Sequence, residues 1–137
     1  MQSKNIGATI IDMKRAYLVL ALAIIGLSAC QNQSDSVKAF IPGTYINSAK
    51  GEYAQAEDTL TITAAGNNAY LITRNTTYQA IRDGKFLPKH HKVSKLNGVF
   101  DPQTQLLNET INGEVFRFDP AKRVLIINSK GEYKKIN

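Results

Sequence analysis

Turn-forming residues recur about every ten residues from Phe40 to the C-terminus, and this spacing constrains the fold more than any other feature. Between the turns run short segments in which apolar and polar residues alternate, as they do along a strand with one buried face. No stretch after Cys30 keeps a sustained helical period, so the pattern predicts an all-β domain. The turn signals are Gly66-Asn67-Asn68, Asp83-Gly84, Asn97-Gly98, Asn112-Gly113 and Lys130-Gly131.

The clearest strand signal is Asp58–Ala64, where Leu60, Ile62 and Ala64 alternate with threonines. We expect a single antiparallel meander of about eight strands, forming a barrel or a sandwich. A barrel is preferred because closure removes exposed strand edges. The other segments predicted as strands are Phe40–Asn47, Ala69–Arg74, Thr77–Arg82, Gln105–Ile111, Gly113–Phe118, Arg123–Asn128 and Glu132–Ile136, with a short helical turn allowed within Leu87–Lys95.

Composition limits the remaining choices. The chain has 137 residues and a formal charge of +6, which fits one folded domain and does not fit a disordered chain. Its single cysteine excludes an internal disulfide framework, and no Cys/His group has the spacing of a zinc site. The core must therefore form by burial of ordinary apolar side chains.

The N-terminal region has the order of a secretory signal. Met13-Lys14-Arg15 precedes Ala16–Ala29, a run without charge that is mostly Leu, Ala and Ile. This run is shorter than the ~20 residues that a membrane-spanning helix needs. We therefore predict a signal helix that ends before Cys30, with either Met1 or Met13 as the start.

The end of this run, Leu27-Ser28-Ala29-Cys30, resembles the lipobox of bacterial lipoproteins. The resemblance implies that the Cys30 thiol carries a diacylglyceryl group, that the preceding peptide is removed, and that a fatty acid such as palmitate caps the new N-terminus. The alternative is a buried free thiol at the end of a short helix. Gln31, in the place where aspartate causes inner-membrane retention in enteric lipoproteins, implies the outer membrane.

The sequence divides into three parts: residues 1–29 as signal peptide, residues 30–39 as lipidated cysteine and flexible tether, and residues 40–137 as the β-domain. Gln31–Ala39 is polar and shows no apolar period, which predicts the tether. Asp35-Ser36-Val37 resembles the Asp-Ser/Thr-aliphatic acceptor of O-glycosylation in Bacteroidetes, which implies a glycan at Ser36. A second copy at Thr59 lies in a predicted strand and is attributed to strand propensity.

Two further resemblances are available. Phe40-Ile41-Pro42-Gly43-Thr44-Tyr45 resembles the opening strand of lipocalin-like domains, with Tyr45 in place of their tryptophan. This implies that Gly43 and Tyr45 close one end of a barrel. The wider chain resembles small uncharacterised lipoproteins of Bacteroidetes, some encoded near conjugative elements, and this implies a cell-envelope location without implying an activity.

Few residues suggest catalysis. His90-His91 are adjacent, so on a strand they point to opposite faces and do not converge on one metal ion. Glu57-Asp58 is interpreted as an exposed pair at a strand start. Nucleophile elbows and glycine-rich phosphate loops are absent from the sequence. We therefore expect a protein that is not an enzyme and that uses no cofactor or metal.

A basic segment is the best remaining candidate for a binding site. Its charges surround one acid, Asp83, and could meet the phosphates of lipid headgroups, lipopolysaccharide or nucleic acid. A solvated strand edge with protective charges is the favoured alternative, and nucleic acid is the least favoured partner. The basic residues are Arg82, Lys85, Lys89, Lys92 and Lys95.

These observations favour a lipid-anchored envelope protein that acts as a non-catalytic binding or structural module, accessory to a conjugative or other envelope complex through a protein partner not yet identified. One alternative is a lipocalin-like carrier, which needs a cavity of several hundred cubic ångströms, as ligand sites generally do. Another is an inhibitor of a periplasmic hydrolase, for which Lys85–Lys92 would be the protruding loop.

Overall fold

The computed structural model describes residues 33–137, which contain a helical segment at residues 33–40 followed by nine strands. The predicted signal peptide, residues 1–29, and the lipidation site Cys30 lie outside the described residues. The strands are β1 (Gly43–Lys50), β2 (Ala54–Ala64), β3 (Ala69–Arg82), β4 (Lys85–Phe86), β5 (His90–Asp101), β6 (Leu106–Glu109), β7 (Val115–Asp119), β8 (Val124–Ile127) and β9 (Gly131–Lys135).

Eight of these strands form a closed antiparallel barrel. Sequential neighbours pair from β5 to β9, β3 pairs with both β2 and β5, and β1 pairs with β2 on one side and with β9 on the other. β4 is a two-residue strand that pairs only with the end of β3. The predicted all-β meander is confirmed, and because the sheet closes on itself the domain is a barrel and not a sandwich.

Side chains fill the interior of the barrel. Along each strand every second residue points inward, and within the barrel most of these residues are aliphatic or aromatic. The largest of them are almost completely shielded from solvent, so the interior is a packed core. The fully buried side chains are Tyr45, Phe100, Phe116, Ile41, Leu60, Ile62, Ile72, Leu107 and Leu125.

Aromatic rings close the end of the barrel where β1 begins. Tyr45 packs edge to face against Phe40 and Phe118, with ring centroids 5.9 Å away in both cases. The Tyr45 hydroxyl donates hydrogen bonds to the carbonyl oxygens of Phe40 (2.8 Å) and Ile41 (2.9 Å). The ammonium of Lys135, on the last strand, lies 4.3 Å from the centre of the Phe40 ring. The start and the end of the domain are thus held together at this end.

The end of the predicted tether is helical. Residues 33–40 form helix, and Val37 is only 5% exposed because it belongs to the hydrophobic core. The Ile41 amide donates to the Val37 carbonyl at 3.1 Å, so both apolar side chains lie on one helical face. The expectation of a flexible segment up to residue 39 was therefore wrong for its last part, and β1 starts at Gly43, three residues later than predicted.

One predicted turn is the middle of a strand. Asn97-Gly98 lies inside β5, which also includes most of the segment where a short helical turn was allowed. Gly98 is needed there for packing, since a Cβ at this position would lie 3.0 Å from Leu107 Cδ1 and 3.3 Å from Ile72 Cδ1.

The predicted turn at Asp83-Gly84 is present, and both residues have the positive φ that such a turn requires (50° and 72°).

Adding a side chain at Gly98 should destabilise the domain. We expect Gly98→Val to lower the free energy of unfolding by about 2 kcal/mol, because the new methyl groups would displace Leu107 and Ile72 in a packed core. Guanidinium unfolding followed by circular dichroism measures this change. Gly51→Val is the matched control, since a Cβ there would meet its nearest atom at 3.7 Å, and equal stability of the two variants would contradict the prediction.

The domain should lose stability in alkali. Burial raises the pKa of Tyr45 and Tyr70, and burial with a hydrogen bond to Asp58 raises the pKa of Tyr133 to about 12. The folded protein therefore holds these protons more tightly than the unfolded chain, whose tyrosines titrate near pH 10. The resulting stability is fully present below about pH 10 and falls as the pH rises towards 12.

Denaturant unfolding at several pH values above about pH 9 measures this loss. We expect Tyr133→Phe to show a smaller decrease between pH 10 and 12 than the wild type, because it lacks one of the retained protons. Tyr53→Phe, which changes an exposed tyrosine, is the control with the wild-type slope. A wild-type stability that stays constant across this range would contradict the prediction.

Candidate functional site

Four strands, β1, β2, β3 and β5, continue beyond the barrel and form an open sheet at the end opposite Tyr45. β1, β2, β3 and β5 have 8, 11, 14 and 12 residues, whereas β6 to β9 have four or five. The register of the barrel continues into this extension, where Ala54 pairs with Ala80 and Tyr78 pairs with His90. Because side chains alternate along a strand, those that follow the core positions line one face, which we call the inner face.

A groove of about 410 Å³, the polar groove, lies on the inner face at the mouth of the barrel. Leu96 and Asn112 contribute to its lining, and hydroxyl, imidazole and ammonium groups form most of the rest. Ligand sites generally have volumes of about 300–1,000 Å³ and a few well-placed polar groups. The walls consist of cross-strand pairs of β3 and β5, namely Arg74 with Ser94, Thr76 with Lys92 and Tyr78 with His90.

A charged network centred on Asp58 separates the polar groove from the apolar core. Asp58 is 9% exposed, and its Oδ2 accepts hydrogen bonds from Arg74 Nε and from the Tyr133 hydroxyl, each at 2.8 Å. Its Oδ1 accepts a hydrogen bond from Thr76 at 3.0 Å. The guanidinium of Arg74 also donates to both carboxylate oxygens of Glu114, at 3.1 and 3.2 Å. The network thus joins β2, β3, β9 and the segment before β7.

The network keeps the Arg74 guanidinium charged. The hydrogen bond to Asp58 raises the pKa of the Arg74 guanidinium further above its usual range, so that it stays charged. The carboxylate of Asp58 has hydrogen-bond donors on both oxygens, which compensates for its burial. Arg74 is suited to supporting a binding surface, because a guanidinium that stays charged does not exchange protons with a substrate.

Sequence reasoning missed this network. Asp58 was interpreted as an exposed acid at a strand start, and that interpretation was wrong, because β2 begins at Ala54 and Asp58 points inward. The signal was available in the alternation: Asp58 lies two residues before Leu60 and therefore shares its inward face. An acid on an inward position predicts a buried cationic partner, and Arg74 holds the corresponding place after Ile72 on β3.

The structure distributes the five predicted basic residues over different surfaces. Lys92 lines the polar groove, whereas Lys95 is exposed on the opposite face of β5, three positions further along the strand. Lys89 borders a second groove of about 210 Å³ on the outer face. Arg82 and Lys85 face each other across the β3–β4 hairpin. The segment is exposed and basic, but these residues do not share one face.

The two adjacent histidines occupy the beginning of β5. His90 faces Tyr78 beside the polar groove, and His91 Nδ1 lies 3.3 Å from the hydroxyl oxygen of Thr77. Within residues 33–137, no group of three or more His, Cys, Asp and Glu side chains is arranged to hold a metal ion. The histidines are thus placed as hydrogen-bonding groups at the rim of the extension.

The other predicted modification site is accessible. Ser36 is exposed on the helical segment, so its hydroxyl can be reached although the segment is not extended as predicted. Thr59, the second copy of the motif, is half-buried within β2. Glycosylation at Ser36 stays a prediction, and so does lipidation at Cys30, which precedes the described residues.

The alternative functions can be compared with the geometry. A lipocalin-like carrier would hold its ligand inside the barrel, but side chains such as Phe100, Phe116 and Leu107 occupy that space. Lys85–Lys92, the segment proposed as an inhibitory loop, forms β4, a short connection and the start of β5 at the tip of the extension. The accessible polar surface therefore lies outside the barrel.

Comparisons of the chain with family models, with curated proteins and with solved structures found no match. In the described part of the chain, no helix combines the length and the hydrophobicity needed to cross a membrane.

Breaking the Asp58 network should cost more than breaking a surface ion pair. We expect Asp58→Asn to lower the free energy of unfolding by about 3 kcal/mol, because it removes the charge that compensates the partly buried Arg74 guanidinium. Lys122→Ala removes the exposed pair with Asp119 (3.9 Å) and should change stability by less than about 0.5 kcal/mol. Denaturant unfolding measures both, and equal losses in the two variants would contradict the role of the network.

Proposed function

We propose that this chain is a lipid-anchored protein of the bacterial envelope whose β-domain is a non-catalytic binding module for another envelope protein. The observation that carries the proposal is the contrast between a barrel filled by its own side chains and an open, polar extension built from four of the same strands. A filled barrel is a rigid support, and surfaces displayed on rigid supports are the usual sites of recognition.

The anchoring part of the proposal depends on the N-terminal sequence. The basic and apolar order before Cys30, with small residues immediately preceding it, supports acylation of that cysteine. Several acyl chains on one residue give firm membrane attachment, since each buried methylene adds roughly 0.8 kcal/mol. Gln31 supports the outer membrane as the destination, and membership of a conjugative or other envelope complex is part of the proposal.

The chemistry of the groove favours binding over catalysis. Arg74 and Asp58, the charged pair at its base, are engaged with each other and with Glu114 and Tyr133. A general acid or base must be able to gain and lose a proton near the operating pH, whereas the hydrogen bond to Asp58 raises the pKa of Arg74 further above its usual range. The exposed groups around them offer hydrogen bonds and positive charge to a partner.

Site-specific photo-crosslinking in intact envelopes tests the proposal. A photoreactive residue at Ser94, in the polar groove, should form a discrete adduct with a protein partner. The same residue at Lys130, in the exposed turn before β9, is the matched control and should form none. A pattern of adducts that is the same at both positions, or no adduct at either, would overturn the binding proposal.

The mass of the mature protein tests its anchoring. We expect a chain that begins at Cys30 and carries acyl groups, and we expect Cys30→Ser to leave the protein unacylated and extractable without detergent. A mature chain that retains residues before Cys30 would overturn the anchor while leaving the crosslinking result interpretable. A small molecule retained in the native mass spectrum, with no protein adduct, would favour the carrier instead.

A further inference from the structure

The first part of β5, from His90 to Leu96, has an unpaired edge. β5 pairs with β3 from His90 to Val99, whereas β6 pairs with β5 only from Gly98 onwards. Among residues 33–137 no strand lies beside the other edge of β5 between His90 and Leu96. Exposed edges of this length are usually shortened or covered, because they can pair with other chains.

The backbone groups at this edge point outward in a regular pattern. The Asn97 carbonyl accepts a hydrogen bond from the Thr110 amide at 2.9 Å, which places Asn97 on the side of β5 away from β3. Since successive residues of an antiparallel strand alternate in this respect, the N–H and C=O groups of His91, Val93 and Lys95 face the same way. They form a ladder with a repeat of about 7 Å, ready for another strand.

The side chains around the edge indicate what kind of strand fits. Lys92 lies on the inner face and Lys95 on the outer face, so a neighbouring strand would meet an ammonium group on each of its two faces. Val93 is 53% exposed, and Ile111, in the nearby β6–β7 turn, is 61% exposed. These two side chains offer apolar contacts to a neighbouring strand. Two acids on the inner side, Asp58 and Glu114, are already paired with Arg74, and a third, Glu109, accepts hydrogen bonds from the amides of Ile111 and Asn112.

The charges also argue against a second copy of this chain as the partner. Two β5 edges paired with each other would bring lysines and histidines together, and like charges on facing strands are destabilising. An acidic strand would instead pair each ammonium with a carboxylate. The same segment therefore disfavours self-association and favours an acidic partner.

We propose that the His90–Leu96 edge of β5 binds an extended acidic segment of a partner protein by strand addition, with carboxylates directed to both Lys92 and Lys95. Strand addition takes its affinity from main-chain hydrogen bonds and its selectivity from alternate side chains. This inference rests on the proposed binding function, to which it adds the chemical class of the partner and the geometry of its docking.

A synthetic peptide tests the inference directly. The probe is a labelled, end-capped heptapeptide of glutamate, threonine and valine with glutamates on both faces, titrated against the full chain in detergent by fluorescence anisotropy. We expect saturable binding that weakens about tenfold or more when lysine replaces glutamate in the peptide. We expect a similar loss when alternate peptide amides are N-methylated, because this removes the ladder hydrogen bonds.

Variants of the protein separate charge from backbone pairing. Lys92→Glu with Lys95→Glu should reduce affinity about tenfold or more, whereas Lys130→Glu, the matched control in a distant turn, should not. Val93→Pro removes one outward N–H at a position where an edge strand tolerates proline, and it should also abolish binding. If Val93→Pro does not fold, the charge variants and the peptide variants still decide the question.

Amide hydrogen exchange gives a readout that a purely ionic contact would not produce. Peptide binding should slow exchange at His91, Val93 and Lys95, while His90, Lys92 and Ser94, whose amides face β3, should change little. Absence of binding, binding insensitive to the lysine changes, or binding without this protection would each overturn strand addition. A groove-specific crosslink at Ser94 combined with any of these results would refute strand addition and leave the binding function standing.

Discussion

Only two residue pairs join β1 to β9, and this short seam converts the sheet into a barrel. Side chains on β9 strengthen it. The Lys135 ammonium covers the Phe40 ring near the closed end, and the Tyr133 hydroxyl donates to Asp58 two strands away. Tyr133 lies in the middle of β9 and Lys135 at its end, so these contacts hold the second half of the last strand against the barrel. Without the seam, the filled interior would open along β1 and β9, and the extension would lose the rigid support on which its groove and its edge depend.

The fold could be predicted wherever local pattern and tertiary packing agree. The alternation at Leu60 and the turn at Asp83-Gly84 are encoded within a few residues, and both were predicted correctly. Asn97-Gly98 resembles a turn, yet its glycine serves the close approach of Leu107, a contact between residues distant in sequence. Val37 was missed because its apolar partner on the helical face lay beyond the assumed end of the tether. The error at Gly98 thus arises from a contact between residues distant in sequence, and the error at Val37 from the boundary assumed for the tether.

The candidate site was less predictable than the fold, for the same reason. The sequence identified the basic segment and the exposed histidines, but it did not show that Lys92 and Lys95 lie on opposite faces of a continuous strand. The network between Asp58 and Arg74 depends on a pairing between β2 and β3 that composition alone does not reveal. A buried ion pair of this kind adds little net stability compared with apolar packing, and its main effect is to mark where the core ends and the polar extension begins.

The unbroken pairing of β3 with β5 limits how this protein can diverge. One register holds from Ala69 and Val99 in the barrel to Tyr78 and His90 at the tip, with no bulge to absorb a change in length. Inserting a single residue between His90 and Leu96 would exchange the inner and outer faces of the part of β5 that precedes the insertion. Side chains that now lie on the inner face would then lie on the outer face, and the reverse. Insertions or deletions in this segment can therefore be tolerated only in even steps. The exposed part of β5 can therefore change its sequence freely only if it keeps its length.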